Sequence, residues 1–257
     1  MDMTIHPTAL IDPQARIDDN VAIGPYSVIG SNAIIGAGCE IGSHVFLDHA
    51  KLSRGCKVGS HTAIGSDPQI YDWKQVESWV EIGAGTIVNE LTAIHRSMYE
   101  GKATIIGAGC YIMTQTHVGH DCKLGEGVTV TTLAGLSGHI EIGDNAVIGG
   151  AAGIHQFVRI GEMAMVGGMS RVVQDVAPYF MVAGVPAKAR GLNSYAFKKY
   201  GTPPQERKNL KKAYRLLVRS KLSLSGAMKK IADDIPVEGA VARLVDFVRE
   251  AKGGVTL

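Results

Sequence analysis

Residues 106–172 read IGAGCYIMTQTHVGHDCKLGEGVTVTTLAGLSGHIEIGDNAVIGGAAGIHQFVRIGEMAMVGGMSRV, and an aliphatic residue falls on every sixth position. The unbroken set is Ile106, Ile112, Val118, Leu124, Val130, Leu136, Ile142, Ile148, Ile154, Ile160, Val166 and Val172. Neither a helix of period 3.6 nor a strand of period 2 produces this spacing. A six-residue period fits a triangular solenoid in which each hexad supplies one short strand and one corner, and three hexads make a coil. The aliphatic residue then points inward and stacks on its counterpart one coil away. A Gly often follows it, as at Val118-Gly119 and Ile142-Gly143, and Gly or a small polar residue permits the positive φ that a tight corner calls for.

The same period runs outward from this stretch. It holds at Ile17, Ile23, Ile29, Ile35, Ile41 and Leu47, slips by one residue, and continues at Leu52, Val58, Ile64, Ile82, Val88 and Ile94. Two stretches interrupt it, Ser66–Glu81 and His95–Thr104. Both read as loops thrown out from the solenoid, and long loops on a rigid scaffold tend to carry function. The repeat fades after Val172. Pro203-Pro204 opens a helical pattern with Leu210, Tyr214, Leu217 and Val218 on one face, and Ser223–Asp234 and Val237–Ala251 add two more amphipathic segments. The organisation expected is a solenoid over residues 1–188 and a three-helix tail over 189–257.

Composition agrees with a solenoid. Aromatic residues make up only 6% of the 257 residues whereas Gly numbers 32, so the core is built from stacked aliphatics rather than ring volume. No basic-then-apolar leader and no 18-residue apolar run is present, so neither a secretory signal nor a membrane span is expected, and a cytoplasmic location is. Cys39, Cys56, Cys110 and Cys122 form no CxxC motif and read as small buried hydrophobes. Charge is unevenly placed: residues 188–257 carry 16 Lys/Arg against 6 Asp/Glu, and residues 1–187 carry 10 against 18. The tail, with Lys211, Lys212, Arg215 and Arg219 on its polar side, suits an acidic partner or is a solvated surface.

Counting eighteen residues per coil places His120, His139 and His155 at nearly the same point around the triangle on successive coils, with His117 three residues before His120. Coils stack at the strand spacing of roughly 5 Å. Three readings fit a column of imidazoles: a general base, a structural ladder or a metal site. No second carboxylate or cysteine cluster completes a ligand tetrad, and no resident metal is expected. A general base is favoured, because imidazole titrates near ~6.5 and can take a hydroxyl proton at neutral pH. No GxSxG or Cys-His motif supplies a nucleophile, so direct attack of an acceptor hydroxyl on a thioester is the simplest chemistry. Gly138, one coil from His120, can offer a backbone N–H to the oxyanion.

The motifs His117–Asp121 (HVGHD), Leu136–His139 (LSGH) and Ile154–Phe157 (IHQF) resemble those of the UDP-N-acetylglucosamine 3-O-acyltransferases, hexapeptide-repeat enzymes that begin lipid A synthesis. Gln174-Asp175-Val176, Pro178-Tyr179, Gly191-Leu192-Asn193 and Ala213-Tyr214-Arg215 extend the likeness nearly end to end. The resemblance implies a left-handed coil, a homotrimer with sites between subunits, and transfer of a 3-hydroxyacyl chain from the phosphopantetheine of acyl carrier protein to a UDP-sugar, with no other cofactor and no nucleic acid. It implies that His120 is the base, that Asp121 orients it and that the Gly138 amide faces the thioester oxygen. It places Gln69, Asp72, His95, His117, His139, His155, Gln156, Asn193 and Lys199 around the substrates, Gly168 at the point that limits acyl length, and the carrier protein on the basic tail. The chain departs from the family at Ile70 and Asp72, where a substrate-binding Asp and Lys are usual, and at Tyr195 and Lys199-Tyr200, where Glu and Arg-Arg are usual. Those departures leave N-acylation of a UDP-amino sugar open as an alternative acceptor chemistry. Gly184–Lys188 (GVPAK) resembles a segment of coenzyme A-dependent acetyltransferases, which leaves a second.

Overall fold

The computed structural model describes residues 4–257, and every count below is of these residues. The chain winds into a parallel β-helix of triangular section, left-handed in its coil. The first sheet has 11 strands, from Thr4–Ile5 to Lys188–Leu192; the second has 9, from Leu10–Ile11 to Arg171–Val172; the third has 8, from Arg16–Ile17 to Arg159–Ile160. As far as Arg171–Val172 successive strands go to successive sheets, so the chain turns a first corner between sheets one and two, a second between two and three, and a third on returning to one. Register follows the expected coil length: His117 pairs with Gly135 and Gly135 with Gly153, eighteen residues apart each time.

The hexad aliphatics form the core. Ile106, Ile112, Val118, Leu136, Ile148 and Val172 are 0–1% exposed, each stacked on its counterpart in the next coil. Burying such a side chain contributes ~1.5–3 kcal/mol, and a strand of two residues has little else to hold it. Cys39, Cys56, Cys110 and Cys122 are buried and free, as small packing residues.

Positive φ divides by corner: the third takes it largely on Gly, at Gly38, Gly55, Gly85, Gly109 and Gly127, as expected, whereas the first and second take it on larger residues such as Tyr26, Leu91, Leu133, Phe157 and Met169. The Gly that follows an inward aliphatic serves close stacking instead. A Cβ on Gly143 would lie 2.5 Å from the Glu162 amide nitrogen of the next coil, so no larger residue fits without prising coils apart.

The loops are tighter than the broken hexads indicate. Strands Ala63–Ser66, Trp79–Ile82, Ala93–His95 and Ala103–Ile106 run into them, leaving 67–78 and 96–102 outside the ladder. The expected junction at 188/189 falls at the start of a strand, Lys188–Leu192, that folds back antiparallel on Phe180–Ala183. Beyond it stand α1 (Ser194–Lys199), α2 (Pro204–Tyr214), a π-helical turn (Arg215–Arg219), α3 (Leu224–Asp234) and α4 (Gly239–Glu250). The tail therefore holds one short helix, α1, more than the periodicity shows. Arg159 fastens α4 to the solenoid: its guanidinium bonds Asp175 at 2.9 Å and lies 4.5 Å over the Phe247 ring. Among the described residues no helix is long and apolar enough to cross a membrane.

Candidate active site

The second corner gathers the chemistry. His120 follows strand His117–Val118, His139 follows Gly135–Leu136, and His155 follows Gly153–Ile154, all in the second sheet. Asp121, His139 and Phe157 each take positive φ at this corner and stack as one column, eighteen residues apart.

His120 Nδ1 donates to Asp121 Oδ2 at 2.8 Å. Because a carboxylate only accepts, this bond fixes the tautomer and leaves the Nε2 lone pair free. Asp121 is itself held from behind: the Ser97 hydroxyl donates to Oδ1, the Met98 amide donates to Oδ2 at 3.2 Å, and the Asp121 amide donates to Thr104 Oγ1 at 2.8 Å. Sequence reading missed Ser97, Met98 and Thr104. Only tertiary structure brings the 96–102 loop behind the carboxylate, and no local pattern marks it.

Gly138 sits under the His120 ring. A Cβ there would lie 2.5 Å from His120 Cε1 and 2.6 Å from Nε2. Ser137 and His139 donate their amides to Ile154 and His120 carbonyls, while the Gly138 N–H has no such acceptor among the described residues. An uncommitted backbone donor beside a base is what an oxyanion site needs. Cys122 follows Asp121 in sequence but is no nucleophile, since burial pushes its thiol up to about 12.

Of the expected column of imidazoles, two rings meet. His120 and His139 pack edge to face with centroids 5.0 Å apart, and His139 stacks on Phe157 at 4.6 Å. Phe157, not His155, continues the column. His155 is exposed with its Nδ1 against the Gln156 carbonyl, and Gln156 is exposed beside it. His95 and His117 form a second imidazole pair, 5.0 Å apart. Burial depresses the basicity of both, so both are neutral near pH 7. His95 Nδ1 lies 2.7 Å from the Asp67 carbonyl, but the buried Nε2 atoms of His95 and His117 have no hydrogen-bond partner among the described residues.

The two loops close over this corner as one body. Arg96, 1% exposed, grips Asp67 at 2.8 and 3.1 Å, donates to the Val76 carbonyl at 2.9 Å and lies 5.0 Å from the Trp73 ring. Gln69 and Asp72 are exposed on the 67–78 loop, with Asp72 at φ +45°.

Three expected site residues lie elsewhere in the chain. Gly168, exposed, is at the first corner, after strand Met165–Val166. Asn193 is 5% exposed and its side chain is committed to structure: Oδ1 caps α1 by accepting from the Ala196 amide, and Nδ2 donates to the Met163 carbonyl at 2.9 Å. An Asn just before a helical run is a capping signal, which the sequence does carry. Lys199 is exposed in the last turn of α1, its Nζ 4.9 Å from the Tyr200 ring.

Comparison with known proteins finds relatives along the whole chain. Residues 175–256 match the family described as Udp N-acetylglucosamine O-acyltransferase, domain 2; residues 101–138 match the bacterial transferase hexapeptide (six repeats), and residues 5–105 a GMPPB C-terminal domain. The acyl-[acyl-carrier-protein]–UDP-N-acetylglucosamine O-acyltransferase of Syntrophobacter fumaroxidans is 40% identical over 256 residues, covering 98% of this chain and 99% of that one. The crystal structure of the UDP-N-acetylglucosamine O-acyltransferase of Moraxella catarrhalis superposes with a TM-score of 0.94 at 36% identity, covering 99% and 100% of the two chains. That of the Bacteroides fragilis UDP-N-acetylglucosamine acyltransferase gives 0.96 at 31% identity, again over 99% and 100%. With its hexad solenoid, its His–Asp corner and relatives that match it end to end, the chain belongs to the acyl-[acyl-carrier-protein]–UDP-N-acetylglucosamine O-acyltransferase family.

Proposed function

We propose that the protein transfers a 3-hydroxyacyl chain from acyl carrier protein to the 3-hydroxyl of UDP-N-acetylglucosamine, the first step of lipid A biosynthesis, in the cytoplasm. The observation that carries the reading is the His120–Asp121 bond at 2.8 Å above Gly138, in a chain 40% identical to an enzyme of that name along 98% of its length.

His120 Nε2 takes the proton of the sugar hydroxyl as its oxygen attacks the thioester carbon. The tetrahedral oxyanion accepts a hydrogen bond from the Gly138 N–H, and collapse expels the pantetheine thiolate, which receives the proton from His120. Asp121 stabilises the imidazolium in between. The unpartnered Nε2 atoms of His95 and His117 offer the sugar its polar contacts, since an orphaned buried nitrogen costs ~1–3 kcal/mol until a ligand satisfies it. Gly168, Asn193 and Lys199 stand away from the second corner of their own chain. A cleft that contains all the expected groups therefore needs a neighbouring copy, which supports a homotrimer with sites between subunits. The carrier's acidic surface suits Lys211, Lys212, Arg215 and Arg219, all exposed.

The test is to supply UDP-N-acetylglucosamine, a UDP-amino sugar and acetyl-CoA in separate reactions with and without 3-hydroxyacyl carrier protein, and to weigh the products. An alkali-labile ester formed only with the carrier thioester supports the reading, and His120→Ala should lower its rate by ~10²–10⁴. An alkali-stable amide, or turnover of acetyl-CoA alone, refutes it.

A further inference from the structure

We infer that Trp73 and Arg96 are positioning residues for acyl transfer: they hold Ser97 and Met98 against the Asp121 carboxylate, and through Asp121 they fix His120, the base in the reaction proposed for this protein, on which the inference rests. Asp121 takes two of its bonds from the 96–102 loop, through the Ser97 hydroxyl and the Met98 amide. Neither residue belongs to a strand, so no ladder sets where they stand. The other loop sets it. The Trp73 indole N–H donates to the Met98 carbonyl at 3.3 Å. The buried Ser78 hydroxyl donates to the Ser97 carbonyl at 2.6 Å, and the Ser97 amide donates to the Trp79 carbonyl at 3.4 Å. Each residue that grips the carboxylate is thus gripped in turn.

One oxygen makes the path to the base direct. Asp121 Oδ2 accepts both from the Met98 amide at 3.2 Å and from His120 Nδ1 at 2.8 Å. A shift of Met98 is therefore felt by the atom that orients the imidazole. From Trp73 to His120 every link is a hydrogen bond or a single residue.

Arg96 closes the assembly. It directly precedes Ser97, and its planar group reaches Asp67 at one end of the 67–78 loop and the Val76 carbonyl near the other. The Trp73 ring lies against it at 5.0 Å, within the ~6 Å at which a guanidinium is attracted to an indole face. Asp67 also accepts from His95 Nδ1 through its carbonyl at 2.7 Å, so one residue anchors both neighbours of the bond. Lys in place of Arg96 would keep the charge and lose the fork that joins these points.

The test uses full-length protein. Trp73→Phe keeps a ring beside Arg96 and deletes only the N–H, and it should lower kcat about five-fold with KM for the sugar unchanged. In an Asp121→Asn background the same substitution should change kcat less than about two-fold, because residues acting through one partner do not add. Arg96→Lys should lower kcat about ten-fold. A second readout needs no turnover. In ¹⁵N-histidine-labelled protein the His120 Nδ1–H, identified by its loss in His120→Gln, should exchange with water faster in Trp73→Phe than in wild type. Tyr71→Ala, a change at a side chain 92% exposed on the same loop, should leave that exchange as it is. A Trp73→Phe variant that raises KM alone, keeps its full effect without the Asp121 carboxylate, or exchanges the His120 proton at the wild-type rate overturns the inference. Faster exchange in a protein that acylates no nucleotide sugar refutes the reaction and leaves the positioning standing, so the two failures are distinguishable.

Discussion

The His120 imidazole occupies the space that a side chain on Gly138 would need: a Cβ there would stand 2.5 Å from Cε1 and 2.6 Å from Nε2. The glycine thus has two duties, to offer its amide and to let the base lie flat above it. Gly138→Ala must push the ring aside. A displacement of about 1 Å at a reacting centre can cost ~10²-fold, so kcat should fall by that order. The turn lies outside the aliphatic ladder, so the thermal midpoint should change little. Steady-state kinetics beside a melting curve separates the two.

Ser97 positions the base through Asp121. Ser97→Ala removes the hydroxyl that donates to Asp121 Oδ1 and leaves the Met98 amide and His120 as its partners. By analogy with outer partners of functional imidazoles, the expected loss is ~10-fold in kcat with KM for the sugar unchanged. Ser97→Thr, which keeps the donor, should restore most of the rate. A rise in KM alone would mean that the loop serves substrate binding instead.

The buried pair His95 and His117 sets an acid limit on stability. Burial holds both below the ordinary imidazole value near ~6.5 in the folded state. As pH falls through that value, the unfolded chain takes up protons that the folded chain refuses, so folding stability declines, and the loss is complete only below the folded-state values. The urea midpoint should therefore drop between about pH 7 and 5. The decline should be shallower in a His95→Gln/His117→Gln variant.

Reversing charge on the tail tests the carrier surface. Lys212→Glu with Arg215→Glu alters two exposed residues whose side chains make no hydrogen bond among the described residues. Surface charge acts mainly on encounter. KM for the carrier thioester should rise about ten-fold, the difference should shrink at high salt, and KM for the nucleotide sugar should stay put.

What the sequence made legible follows from which side chains a solenoid constrains. An inward position must be aliphatic, so Ile106 to Val172 could be read by counting, and the same count put His120, Gly138 and His139 at one corner. It failed by two residues for His155, because a corner turns sharply enough that close positions diverge; Phe157 took the place in the column. The meaning of Gly143 was hidden since its constraint comes from Glu162 one coil above, not from its own φ. Ser97 and Thr104 were invisible for the same reason: their partner, Asp121, is distant in sequence. Asn193 was the opposite case, a capping signal in plain view that the family resemblance overshadowed.

The occupancy of the first and second corners by residues larger than Gly at positive φ has a further consequence. Inward positions write the scaffold and corner positions write the surface, and the two alphabets scarcely overlap. A corner column such as Asp121–His139–Phe157 can be rewritten one letter at a time, each letter set roughly 5 Å from the next along the axis, while the aliphatic text beneath stays the same. Selectivity in such a molecule changes in whole-coil steps, and it does so without asking the fold to change.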